Sequence, residues 1–83
     1  MSKLYEDFLR TLDEEIEKSS PKHREQVKIL FLKVWYNTFL KNSIAQFMEN
    51  FKHIRYKFSR EIRYEAALAS GRALRKVSVE VRV

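Results

Sequence analysis

The chain has no cysteine, one glycine and one proline in 83 residues. Without cysteine there is no disulfide and no thiolate metal site, and nothing marks the redox compartment. So little glycine and proline rules out a flexible linker, and 45% hydrophobic residues is the composition of a compact helical protein. Long apolar runs are missing too. The best, from Val27 to Leu40, is 14 residues long and is interrupted by Lys28 and Lys33, too short and too charged to span a bilayer. The opening MSKLYEDFLRTLDEE is acidic and amphipathic and lacks the pattern of a secretory leader. These absences predict a soluble, cytoplasmic protein with no membrane partner. There is no Gly-rich phosphate loop, no GxSxG, no HExxH and no cysteine nucleophile. The expectation is therefore a protein that is not an enzyme and holds no cofactor.

Eighty-three residues make one domain, residues 1–83, whose single small core leaves it marginally stable. Hydrophobic periodicity predicts a mostly α fold: a helical hairpin plus a long amphipathic helix, closed by a short C-terminal β-strand. The first helix covers about residues 3–18, with Tyr5, Phe8, Leu9, Leu12 and Ile16 on its apolar face. Ser19-Ser20-Pro21 ends it, and Pro21 suits the first position of a second helix over about 21–41. A turn this short makes the two helices antiparallel neighbours. Asn42 or Ser43 can cap a third helix over about 44–69. The third helix has no glycine or proline. Its apolar stripe begins with large residues and ends with Ile62, Ala66, Ala69 and Ala73, small enough for another helix to approach closely. Ser70-Gly71 is its natural stop, although helix can continue to Lys76 at a cost of about 1 kcal/mol for an interior glycine. Residues 77–83, VSVEVRV, alternate strictly with valine at every odd position. That is the pattern of a half-buried strand. The preferred reading pairs it with the same segment of a second subunit. The rivals are an edge strand offered to a partner and a frayed or helical tail.

Charge is unevenly distributed. Residues 1–20 hold three basic and six acidic side chains, net −3, while residues 21–83 hold fourteen basic and five acidic, net +9. Such a separation points to a polyanionic partner or to a clamp between the two parts. The predicted third helix carries the sharpest imbalance. Lys52, His53, Tyr56, Lys57, Arg60, Arg63 and Tyr64 fall on one side, over about 18 Å of helix. Glu49 is the acid on that side, at its start. Cations neutralise phosphates and release counterions. Tyrosine hydroxyls reach phosphate oxygens, and tyrosine rings stack on bases. Arg72, Arg75 and Lys76 extend the surface. The expected partner is nucleic acid, DNA or RNA, held by its backbone. No short recognition helix at helix-turn-helix spacing is apparent.

Metal binding is not expected. Asp13 and Glu17, and likewise Glu49 and His53, are four apart on a helix, but neither pair has a third ligand at helical spacing. His23 is expected to be exposed in the first turn of the second helix. That helix is apolar around most of its circumference, ten of fourteen residues from Val27 to Leu40, more than two neighbours can cover. The surplus predicts a homodimer, with Phe31, Trp35 and Phe39 in the seam and Val79 and Val81 pairing beside it. The alternative is a helical adaptor or inhibitor that docks on an acidic protein through the same aromatics or the C-terminal strand. Leu4-Tyr5-Glu6 followed by Phe8-Leu9-Arg10 resembles, over about seven residues, the opening of the mitochondrial LYR-motif adaptors, which are small basic three-helix proteins. Glu6 stands where that motif has arginine, and no family is assigned.

Overall fold

The computed structural model describes residues 3–38, 43–54 and 58–82, with side chains through Val77. It has four helices: α1 Lys3–Ile16, α2 Pro21–Thr38, α3 Ile44–His53 and α4 Arg60–Arg82. The expected mostly α fold stands. The expected three-helix domain with a C-terminal strand does not, since the described residues contain no strand.

α1 follows its periodicity. Tyr5, Phe8, Leu12 and Ile16 are buried, and Leu9 packs half-buried beside them. The helix tightens at its end, where Lys18 N–H and Ser19 N–H donate to the Glu15 and Ile16 carbonyls at 3.1 and 2.9 Å. Arg24 Nη2 covers the exposed end of the turn, donating to the carbonyls of Glu17 and Ser19 at 2.8 and 3.3 Å. The Ser20 carbonyl then accepts from the His23 and Arg24 amides, and Pro21 starts α2 where its missing N–H costs nothing.

α3 is short and capped at both ends. Ser43 Oγ accepts from Gln46 N–H at 3.3 Å. Ile54 leaves the helix in an extended conformation, its N–H donating to the Phe51 carbonyl at 3.2 Å. Ser59 opens α4: its Oγ accepts from Ile62 N–H at 3.2 Å and its carbonyl from Arg63 N–H at 3.1 Å. The single helix expected over 44–69 is therefore two helices. The local reason is a stop followed by a new start: Ile54 turns extended at the end of α3, and Ser59 caps α4. Breaking the segment lets Phe47 and Phe58, on either side of the break, enter one core.

Phe47 sits at the centre, fully buried. Its ring meets Phe8 edge-on at 5.2 Å and Tyr5 at 6.3 Å, and stacks with Phe31 at 6.0 Å. Phe31 stacks again on Phe51 at 5.9 Å. Three helices thus meet on one ring. A polar chain ties α2 to α3 as well. Asn50 Nδ2 donates to buried Thr38 Oγ1, which donates to the Val34 carbonyl, both at 2.7 Å, and Gln46 Nε2 donates to Asn50 Oδ1 at 3.1 Å.

α4 packs chiefly on α1 and also on α2. Its buried residues Ile62, Ala66, Ala69, Ala73 and Val77 recur every three or four positions, one stripe of a continuous helix. That stripe overrides both local signals at its C-terminal end. Helix runs through Ser70-Gly71, where Ser70 Oγ donates to the Ala67 carbonyl at 3.1 Å. It also runs through the alternating valines as far as Arg82. A β-branched residue in a helix costs only a few tenths of a kcal/mol, and a lone strand has no ladder to join. Burying Val77, 2% exposed, outweighs the alternation. Val83 lies outside the described residues.

Nothing stands within 4 Å of where a Cβ would lie on Gly71. Gly71→Ala should therefore raise unfolding free energy by about 0.5–1 kcal/mol, the cost of an interior helical glycine, read by urea denaturation. A loss of stability would mean that residue 71 is not helical.

Candidate functional site

The basic residues of the sequence reading fall on two separate helices. Lys52 and His53 end α3, and Arg60, Arg63, Tyr64, Arg72, Arg75 and Lys76 lie on α4. They do not form one helix face. Tyr56 and Lys57 lie outside the described residues. His53 Nε2 faces Glu49 Oε1 at 3.2 Å, both well exposed. Lys52 is exposed and, among the described residues, pairs with no acid.

Lys76 is committed elsewhere. Its Nζ donates to Glu15 Oε2 at 2.6 Å, and Lys18 Nζ donates to the same oxygen at 3.0 Å. Glu15 is 1% exposed. A buried carboxylate is tolerable only with its charge answered, and here α4 and the end of α1 each supply an ammonium. The hydrogen bond from Lys76, then that from Lys18, holds the Glu15 carboxyl below its ordinary range despite desolvation. The same bond to Glu15 pushes Lys76 above the usual lysine range. Glu15 was missed from sequence, yet the signal was present: it lies seven residues after Phe8 and three after Leu12, on the apolar stripe of α1. A charge on that stripe requires an opposite charge from another element.

His23 is half-buried, contrary to the expected exposure, because α4 lies against it. Its Nδ1 is 2.7 Å from Glu65 Oε2 and its Nε2 is 3.3 Å from Glu61 Oε2. The Nδ1 contact is close without being aligned as a hydrogen bond. Glu65 Oε1 also accepts from Ser20 N–H at 3.4 Å. The two carboxylates address different ring nitrogens, so they cannot share one ion with the imidazole, and no group of metal ligands occurs among the described residues. The effect is to draw Glu61 and Glu65 toward α2.

The outer side of α4 is left basic. Arg60, Tyr64, Leu68 and Arg72 are four residues apart and all exposed, Tyr64 at 63% and Leu68 at 38%. Arg75 is exposed beside them. Arg60, Arg72 and Arg75 pair with no described acid. Arg63 is turned further in, with its Nε buried and unpaired.

A second surface lies on α2. Leu32 is 62% exposed, Trp35 42% and Tyr36 72%. Leu32 stands between two hollows. One, about 360 Å³, is lined by Leu9, Leu12, Ile16, Phe31, Trp35 and Phe47, with Asp13 and Lys28 also on its wall. The other, about 510 Å³, is lined by Ile29, Lys33, Tyr36, Asn37 and Ile54. Phe31, expected in an intersubunit seam, is 5% exposed and occupied by the Phe47 and Phe51 rings of its own chain. Phe39 lies outside the described residues. Val79 and Val81 belong to α4, so the strand pairing expected of them does not occur. Among the described residues no helix is long and apolar enough to cross a membrane.

No family model, curated protein or solved structure matches the chain.

The Glu15 cluster makes stability depend on pH. Its carboxyl is lowered in the fold, so its contribution is complete above the ordinary glutamate value of about 4.3. That contribution is lost as pH falls through the depressed folded value. Urea denaturation at stepped pH should show wild type and Glu15→Gln separated at neutral pH and converging on acidification. A separation independent of pH would contradict the buried, paired carboxylate.

Proposed function

We propose that the protein binds nucleic acid through the outer side of α4, as a cytoplasmic homodimer. The observation that carries this reading is the unpaired arginine set Arg60, Arg72 and Arg75, on a helix whose own Glu61 and Glu65 are drawn away to His23. A solubilising surface mixes signs evenly; here exposed Glu61 stands among three exposed arginines. From Arg60 to Arg75 the helix rises about 22 Å, long enough to follow several phosphates. The net charge of +6 adds long-range attraction for a polyanion. The contacts are to the backbone, and α4 offers no Asn or Gln for reading base edges.

The homodimer rests on α2. Exposed Leu32 between two hollows is a knob flanked by holes, a shape that a second copy turned by a two-fold axis complements. Asp13 and Lys28 on one wall give that surface both signs of charge, so the same patch can face itself. An acidic protein seated on the same aromatics is the competing occupant.

Two measurements test the reading. Affinity for a mixed-sequence nucleic acid should fall linearly with log salt, and the Arg60→Ala, Arg72→Ala, Arg75→Ala triple variant should flatten that slope by about 2 to 3, one phosphate lost per arginine. An unchanged slope would overturn the site. Sedimentation should give a dimer at micromolar concentration that Leu32→Glu converts to monomer. A wild-type monomer would refute the dimer without touching the first result.

A further inference from the structure

We infer that the nucleic acid held by α4 is single-stranded, with an unpaired base laid on Tyr64 between phosphates held by Arg60 and Arg72. This rests on the nucleic-acid reading above and narrows its substrate class.

Residues four apart form a raised row along a helix surface. On α4 one such row is Arg60, Tyr64, Leu68, Arg72, and all four are exposed. Its two ends are cationic and its middle is apolar. From Arg60 to Arg72 the rise is about 18 Å. That ordering discriminates between two forms of nucleic acid. A duplex hides its base faces in the stack and presents phosphates and groove edges. Against it, the Tyr64 hydroxyl reaches at most a phosphate oxygen, and the ring face and the Leu68 side chain find no base to cover. A single strand presents both phosphates and base faces. Its backbone suits the arginines, and a base face suits an aromatic ring, whatever the base.

Two features keep the ring available. Tyr64 is 63% exposed, so it is not part of the core formed by Ile62 and Ala66 on the opposite side of the helix. The neighbouring acids Glu61 and Glu65 lean toward His23; Glu61 stays 75% exposed, and Arg60, Arg72 and Arg75 outnumber the two acids. Leu68, one turn on, supports the edge of a stacked base. Gly71 adds no side chain between Leu68 and the arginine pair at 72 and 75.

The test is fluorescence anisotropy with labelled oligo-dT and oligo-rU single strands and a duplex of equal length, at one ionic strength. Wild type, Tyr64→Ala, Tyr64→Phe and the triple arginine variant are compared, each shown by its melting curve to be folded. The expected result is tighter binding of the single strands. Tyr64→Ala should weaken that binding about tenfold or more, the worth of one base–aromatic stack, with the salt slope unchanged. Tyr64→Phe should retain it. Unequal binding of oligo-dT and oligo-rU would only rank the two sugars within a confirmed class. Equal or tighter duplex binding, or no loss in Tyr64→Ala, overturns the single-strand assignment, while loss in the triple arginine variant still upholds nucleic-acid binding. If neither form binds at low salt, the nucleic-acid reading falls and the assignment with it.

Discussion

The alanine stripe of α4 is the constraint from which the rest of the structure follows. Ala66, Ala69 and Ala73 are fully buried, and each presents only a methyl group to its neighbours. Small side chains let helix axes approach closely, and α1 and α2 take that position. Once the stripe faces inward, the register of the whole helix is set. Ile62 and Val77 extend the stripe at its ends, and Arg60, Tyr64, Leu68 and Arg72 are turned outward. Continuity matters as much as composition. Had helix stopped at Gly71, Val77 would be outside the core and Lys76 could not reach Glu15.

Charge fixes the two ends of this packing. Near the C-terminal end, Glu15 is buried and answered by Lys76 and Lys18. Near the N-terminal end, His23 stands between Glu61 and Glu65. The buried Glu15 pair adds little net stability over a well-packed apolar contact, but it penalises any register that leaves the charge alone. These contacts account for part of the imbalance between the acidic first twenty residues and the basic remainder. Glu15 reaches α4, and Glu17 pairs with Arg24 and Lys28 of α2. The clamp uses up acids of both parts, and the arginines on the outer side of α4 remain in excess. The packing and the surface charge thus have a common origin.

Much of this was legible in the sequence. The stripe of α1, the Ser20-Pro21 start of α2, the Ser43 cap and the close approach allowed by the alanines all follow from spacing and residue type, and all appear. The break between α3 and α4 was not legible, because residues 54–59 contain no glycine or proline to announce it; the signal was Ser59, with Glu61 in the first turn behind it. The C-terminal valines misled for a different reason. Alternation is a local pattern, and here a non-local contact, Val77 in the core, decided the outcome. Phe31 could not be assigned from a helix that is apolar on all sides. Which apolar residues turn inward depends on where Phe47 lies, and that is a tertiary fact. The outward row on α4 is half visible in the sequence: Arg60 and Tyr64 share a face and Arg72 extends it, but Arg72 comes into line with them only because helix continues past Gly71.

The continuity of α4 is therefore the claim on which both the packing and the proposed surface depend. Backbone Cα chemical shifts from Arg60 to Arg82 test it most directly. The account predicts helical shifts through Ser70-Gly71 and onward across the valines. Extended shifts from residue 77 would contradict the packing of Val77, and a left-handed glycine at 71 would also separate Arg72 and Arg75 from the row that begins at Arg60.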